Sequence, residues 1–400
     1  MIITGGSSGI GLTLAQDWAS RGARLTLVER DLARLQRALC TCASYSDWTP
    51  IMTKIPCFAA HASDAPLVPH HITRRQLGTQ DVHIDIEFCG VCHTDIHYAK
   101  NDWGRTTYPI VPGHEIVGTV KALGSGVKDL EIGQRVAVGC FVGSCHHCSS
   151  CAADMEQYCL AGFTATYNSP STDEGGVTYG GYSKNIVVDR HFVLKVPDNL
   201  DPAGAAPLLC AGITTYSPLK HWGVKAGMTV GVIGLGGLGH MGIKFARAMG
   251  AHTVMITNSA HKATDAKRLG ADDVLLFTDQ QAVASHAGKF DFLLNTIPSP
   301  HDVTSYMSLL KVDGTMCIVG SIGPTSELNS RPLIFGRRSI AGSLVGGIKE
   351  TQEMLDFCGQ HQIVSDIEII KIQDINRAYE RMQTSDVKYR FVIDIGNSLS

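Results

Sequence analysis

The sequence predicts an α/β chain in two parts, a small β-barrel and a doubly wound parallel sheet inserted into it. Three observations carry that prediction. Short strands separated by glycines and prolines dominate from about residue 82 to 196. An apolar strand at 229–233 runs straight into Gly234-Leu235-Gly236-Gly237-Leu238-Gly239, and 238–249 continues with helical periodicity. Further strands at 292–295, 315–319 and 339–342 then alternate with helices, the pattern of a doubly wound sheet.

In the first part, apolar Val82, Ile84, Ile86 and Phe88 alternate with polar His83, Asp85 and Glu87, as in a half-buried strand. The chain then leaves the sheet for a loop, Cys89-Gly-Val-Cys92-His93-Thr94-Asp95-Ile96-His97, which gathers thiol, hydroxyl, carboxylate and imidazole groups. Strands follow at 116–123, 135–139, 185–188 and 192–196. Beyond 342 the chain returns with amphipathic helices at 350–361 and 374–383 and a closing strand at 389–395. Residues 203–342 are therefore expected to interrupt a first domain made of 52–202 and 343–400, with the active site in the cleft between them.

Residues 1–51 fit neither part. Met1-Ile-Ile-Thr4-Gly5-Gly6-Ser7-Ser8-Gly9-Ile10-Gly11 resembles the glycine-rich turn opening a short-chain dehydrogenase, 24–30 its second strand and 32–39 a further helix. After Cys40 the pattern dissolves, and such a fragment cannot bury both faces of its own sheet. The catalytic Tyr-x-x-x-Lys of that family has one counterpart, Tyr216 to Lys220, interrupted by Pro218 and with Ala203 where a serine is needed. Met52-Thr-Lys-Ile-Pro reads as a second start, so 1–51 is expected to derive from a gene fusion or a wrongly joined gene and to be dispensable.

With 400 residues the chain can build two or three cores. A net charge of −3 without a basic tract argues against nucleic acid. No apolar run approaches the ~18 residues of a membrane span, and no basic-then-apolar leader opens the chain. The expected setting is cytoplasmic. Thirteen cysteines, clustered at x2 spacing in a long chain, read as metal ligands. Cys145-x2-Cys148-x2-Cys151-x7-Cys159 supplies four thiolates, enough to enclose one tetrahedral zinc with no open position.

The glycine turn at 234–239, set between strand and helix, is a dinucleotide cradle: bare backbone there approaches a pyrophosphate. The next strand, 253–257, ends in Thr257-Asn258-Ser259-Ala-His261-Lys262, with no carboxylate before Asp265 to hold a ribose 2′-hydroxyl. Hydroxyl, amide and cation suit a 2′-phosphate, so Asn258, Ser259 and Lys262 predict NADP(H).

Cys92-His93-Thr94-Asp95, Gly113-His114-Glu115, Leu209-Cys210-Ala211-Gly212 and this turn together resemble the zinc-dependent medium-chain alcohol dehydrogenases, specifically the NADP-dependent, cinnamyl-alcohol-dehydrogenase-like branch, over about residues 52–395. The resemblance implies a GroES-like catalytic barrel with an inserted Rossmann domain. It implies a catalytic zinc on Cys92, His114 and Cys210, since the family's ligand thiol immediately precedes the basic-hydroxyl-acid triplet; Cys89 is then a core thiol. Glu115 either approaches the metal when its open position empties or acts through its charge. Asp95 accepts the other ring N–H of His114, or is a surface carboxylate. Thr94 hydrogen-bonds the substrate oxygen and passes its proton, through the cofactor ribose, to His97 near solvent, where an imidazole suits the end of a relay. Thr214 touches the cofactor, and Trp103, Cys140 and Tyr167 wall the substrate pocket. The expected reaction is hydride transfer between NADP(H) and primary alcohols or aldehydes, in a broad aldehyde reductase acting as a homodimer. A catalytically retired dehydrogenase kept for binding or structure is the alternative.

Overall fold

The computed structural model describes residues 2–4, 26–28 and 54–399, apart from 172–174, 321–322 and 324–327. The chain divides into two units, Met1–Thr53 and Lys54–Ser400. In the first, β1 (Ile2–Thr4) and β2 (Thr26–Val28) pair in parallel, Ile2 opposite Thr26. The glycine turn expected at 5–11 and the helix expected at 32–39 lie outside the described residues.

The second unit opens with a hairpin, β3 (Ile55–Ala59) and β4 (Val68–Ile72), that the sequence did not announce. Next comes β5 (Asp81–Gly90), which buries Val82, Ile84 and Ile86 as its alternation requires and is followed by α1 (His93–Ala99). The strands β6 (Ile116–Leu123), β7 (Arg135–Val138), β8 (Phe141–Gly143), β9 (Thr164–Ala165), β10 (Asn185–Asp189) and β11 (Leu194–Lys195) complete this stretch. The strand expected at 192–196 is shorter than foreseen. Asp189 accepts a bond from His191 N (2.8 Å) and winds Arg190–Phe192 into a 3₁₀ turn, leaving only β11 extended.

The chain then enters α2 (Ala211–His221), whose course runs straight through Pro218. Six parallel strands follow: β12 (Thr229–Ile233), β13 (His252–Thr257), β14 (Asp273–Leu276), β15 (Phe290–Asn295), β16 (Leu310–Ile318) and β17 (Ser339–Gly342), in the order β14-β13-β12-β15-β16-β17. The order reverses at β12, and ligand crevices in doubly wound sheets form at such a switch point, outside the carboxyl ends of the strands. After β12, α3 (Gly239–Ala248) buries Met241, Ile243 and Phe245, the Phe245 ring lying against Tyr216 of α2 and Phe357. The return brings α4 (Ile348–His361), β18 (Ile367–Ile370), α5 (Ile375–Gln383) and β19 (Arg390–Asp394).

Strand β19 does not close an edge. It lies between β5 and β18 in a seven-stranded sheet ordered β11-β7-β6-β5-β19-β18, with β10 also on β5. One apolar cluster runs continuously from this sheet through Leu209, Ile213 and Phe245 to Met354. A second, around Leu293, Leu310 and Met316, lies in the parallel sheet. Fully buried rings such as Phe245, Phe292 and Phe391 contribute roughly 1.5–3 kcal/mol each.

Candidate active site

Four side chains from three separate stretches meet in one cluster. Cys92 follows the end of β5, His114 and Glu115 precede β6, and Cys210 precedes α2. One ligand atom from each lies within 4.8 Å of all the others. The Cys92 and Cys210 sulfurs are 3.9 Å apart, within hydrogen-bond reach and not joined in a disulfide. Two thiolates each ~2.3 Å from a tetrahedral zinc stand about 3.8 Å apart, whereas a disulfide needs ~2.05 Å. Within the buried thiol pair Cys92 is held well below the ordinary thiol range, chiefly by its hydrogen bond with Cys210. Cys210 is pushed up, by Cys140 and then Cys92.

Asp95 organises this cluster. Its buried carboxylate accepts from Cys92 N (2.8 Å) and Tyr182 OH (3.3 Å) on Oδ2, and from Gly113 N (3.1 Å) and His114 Nδ1 (3.2 Å) on Oδ1. The bond to Nδ1 leaves His114 Nε2 free to donate its lone pair. Asp95 is fully enclosed, so the surface-carboxylate reading is excluded. Its bond to Cys92 N also caps α1, which corrects the expected loop: a short helix starts at His93. Thr94 and His97 consequently sit one turn apart on one helix face. His97 Nδ1 is 2.7 Å from Asp102 Oδ2, a partner the sequence gave no reason to single out.

Glu115 is buried and ion-paired through Oε1 with Arg390 from β19. Its Oε2 has no partner among the described residues. Burial raises its pKa to about 7 against the pull of Arg390. An unsatisfied buried oxygen beside two thiols and an imidazole fits a cation. Arg390 also stands over the glycine turn: a Cβ on Gly237 would meet its Cδ at 2.9 Å. That arginine was missed in the sequence; the signal available was a lone cation beside the apolar run Phe391-Val392-Ile393 of the closing strand.

At the turn, Gly234 has φ +93, and a Cβ on Gly239 would stand 1.9 Å from the Gly234 oxygen. Around Gly236 a Cβ would meet nothing within 4 Å, which leaves backbone open to a ligand. Leu238 precedes α3, one residue later than foreseen. Lys262 Nζ crosses from the end of β13 to Leu235 O (3.1 Å), with Asn258 exposed and Ser259 half-buried beside it. Thr214 is buried in the first turn of α2, its N–H on Cys210 O (2.9 Å).

Of the expected pocket walls, the Tyr167 ring lies 5.8 Å from that of His114, and Cys140 Sγ is 3.6 Å from Leu209 O. Trp103 is farther out, 40 % exposed and 5.2 Å from the His97 ring. Cys89 belongs to neither cysteine cluster and is buried in the core. The Cys145, Cys148, Cys151 and Cys159 sulfurs also lie within 4.8 Å of one another.

The family profile of the alcohol dehydrogenase GroES-like domain matches residues 78–198, and that of the zinc-binding dehydrogenase matches 237–360. Aldehyde reductase YahK of Escherichia coli is 53% identical over 343 residues, 85% of this chain and 98% of the relative. The chain belongs to the zinc-dependent medium-chain alcohol dehydrogenases. The dehydrogenase is also 49% identical, over 86% of its length and 98% of the relative's, to NADP-dependent alcohol dehydrogenase C 1 of Mycolicibacterium smegmatis. Among solved structures, a cinnamyl alcohol dehydrogenase from Sorghum bicolor superposes with a TM-score of 0.83 at 41% identity, covering 86% of this chain and 99% of that one. The Helicobacter pylori cinnamyl alcohol dehydrogenase complexed with NADP(H) gives 0.81 at 41%, covering 87% and 100%. The relatives named here are reductases and alcohol dehydrogenases, and none of them favours a retired enzyme. No helix among the described residues is long and apolar enough to cross a membrane.

Proposed function

We propose that the dehydrogenase interconverts aldehydes and primary alcohols with NADP(H), working chiefly as a broad aldehyde reductase in the cytoplasm. The convergence of Cys92, His114 and Cys210 beside Arg390, which reaches both Glu115 and the glycine turn, is the observation that carries this reading. Relatives named as an aldehyde reductase and an NADP-dependent alcohol dehydrogenase support it.

Cys92, His114 and Cys210 hold the catalytic zinc, and Cys145, Cys148, Cys151 and Cys159 the structural one. Bound there, zinc supplies a Lewis acid toward the substrate oxygen while NADP(H) gives or takes the hydride. Asp95 fixes the ligand tautomer of His114. Glu115, held by Arg390, keeps a carboxylate oxygen at the cluster. Thr94 hydrogen-bonds the substrate oxygen and carries its proton toward His97, which Asp102 keeps oriented at the solvent edge. Gly234, Leu235, Gly236, Gly237, Leu238 and Gly239 cradle the pyrophosphate, Thr214 lies along the cofactor, and Asn258, Ser259 and Lys262 take the 2′-phosphate. Tyr167, Cys140 and Trp103 wall the substrate.

The dehydrogenase forms a homodimer through the parallel sheets. Strand β17 is an open edge, and the neighbouring helix Arg331–Gly336 leaves Ile334 74% and Phe335 77% exposed.

Metal analysis tests the assignment. The purified chain should carry about two zinc, and Cys92→Ser about one, with aldehyde reduction lost. Retention of both ions by that variant would remove Cys92 from the site. NADH matching NADPH in kcat/KM would remove the 2′-phosphate pocket.

A further inference from the structure

The lobe that carries Cys145 to Cys159 does more than enclose its own thiols. It grips the segment by which the chain leaves the parallel sheet. Leu344, two residues beyond β17, donates its N–H to Tyr158 OH (3.1 Å). Ile348, at the start of α4, donates to Glu156 Oε2 (3.1 Å). Lys349 Nζ reaches Asp154 Oδ2 (2.9 Å). Between them Gly347 passes so close that a Cβ would stand 1.9 Å from Asp154 O. Gly347 has no side chain to cap α4, so Glu156 does so across 192 positions of sequence.

Glu156 is almost wholly buried, and its other oxygen is 2.8 Å from His191 Nε2, in the turn leading to β11. Its carboxyl is held below the ordinary range despite burial, by the His191 and Ile348 bonds among others. One carboxylate thus joins the catalytic sheet, the cysteine lobe and the crossover. The gripped segment in turn shares a small cavity with the residue that precedes Cys210. Val345 and Gly346 line a small cavity together with Cys140, Leu209 and Ile213, the residues beside Cys210.

We propose that the cysteine lobe is a latch on the crossover Leu344–Lys349, with Glu156 as the positioning residue that sets the cofactor sheet against the catalytic zinc cluster. NADPH spans both sides, from the glycine turn to the metal cluster, a placement that rests on the function proposed above. Loosening the latch lowers the population of the arrangement that binds the whole cofactor, and apparent affinity falls by that fraction.

The test uses the zinc-loaded full chain and steady-state kinetics with NADPH. Glu156→Ala should raise KM for NADPH roughly tenfold, the equivalent of one charge-assisted hydrogen bond, with zinc content unchanged and a smaller effect on kcat. Glu156→Gln keeps an acceptor for Ile348 N and should recover most of that loss. Tyr158→Phe removes the Leu344 bond and should raise KM about threefold. An unchanged KM for NADPH in Glu156→Ala and Tyr158→Phe would overturn the latch, as would a fall in kcat alone, which reports only a smaller active fraction. If Glu156→Ala does not accumulate folded, Tyr158→Phe decides alone. Failure of the unaltered enzyme to reduce aldehydes with NADPH would overturn the proposed function, not the latch.

Discussion

Replacing Asp95 by asparagine keeps the shape of the side chain and removes one acceptor and the charge. The outcome follows from its four donors. If the new amide NH₂ faces Gly113 N and His114 Nδ1, the ring must turn to its other tautomer, and the proton on Nε2 then blocks the metal lone pair. If it faces Cys92 N and Tyr182 OH, the tyrosine hydroxyl can rotate to accept, and only the Cys92 N–H is orphaned. The second arrangement costs less, and the variant should adopt it. One buried backbone donor then lacks an acceptor and a neutral oxygen replaces a charged one at His114, a stability loss of roughly 2–4 kcal/mol. With the ligand's partner weakened, affinity at the catalytic site should fall about 10- to 100-fold. Titration of metal-free protein against a chromogenic zinc chelator measures this, and the four-cysteine lobe serves as an internal reference. Catalytic-site affinity within twofold of the unaltered enzyme would refute the reasoning that Asp95 sets the His114 tautomer.

Acid sensitivity should be traceable to His240, which is buried, 2.9 Å from Ser365 Oγ and stacked on Tyr389. Burial, then Lys244 and Arg390, lowers its pKa to about 3 from the ordinary 6.5. The folded state keeps this ring neutral where the unfolded chain would protonate it. Its contribution is therefore complete above pH 6.5 and lost progressively toward pH 3, about 2 kcal/mol by pH 5. Thermal melts of His240→Gln should lose less between pH 6.5 and 5 than those of the parent; parallel curves would show that the ring is not the source. Deleting residues 1–51 should leave kcat/KM and the main melting transition unchanged, as measured by assay and calorimetry, because Lys54–Ser400 is a unit of its own; a large drop in either would show that the N-terminal segment contributes. Phe335→Glu should shift the dehydrogenase from dimer toward monomer in light scattering, since a buried carboxylate at such an interface lacks a partner; an unchanged mass would place the contact elsewhere.

What the sequence made legible follows from how local each signal is. The glycine turn was readable because Gly234 and Gly239 answer to constraints within six residues. The four-cysteine lobe was readable because thiols at x2 spacing leave little but a metal for them to share. The Cys92, His114 and Cys210 set was readable only through family resemblance, since nothing in any one segment points to the others. Arg390 and Tyr182 escaped notice because their importance comes from approach in space, to Glu115 and to Asp95. The helix at His93–Ala99 reads as a loop in the sequence because seven residues carry little periodicity and its cap is the Asp95 carboxylate inside it. Pro218 within α2 and the 3₁₀ turn at Arg190–Phe192 escaped for a related reason, in that tertiary packing and one Asp189 side chain overrode local preference.

The placement of β19 bears on biosynthesis. Strand β19 follows the whole parallel sheet in chain order, yet it is flanked on both sides within its own sheet, and it brings Arg390 to Glu115. The catalytic sheet can therefore be completed only after β19 has been made, later than every strand of the parallel sheet. The parallel sheet, contiguous from β12 to β17, has all its strands available earlier. Newly made chains should pass through a stage in which the nucleotide half is formed and Cys92 and His114 are still open to solvent. Truncation before β19 would remove an interior strand, and with it the arginine that joins the two halves.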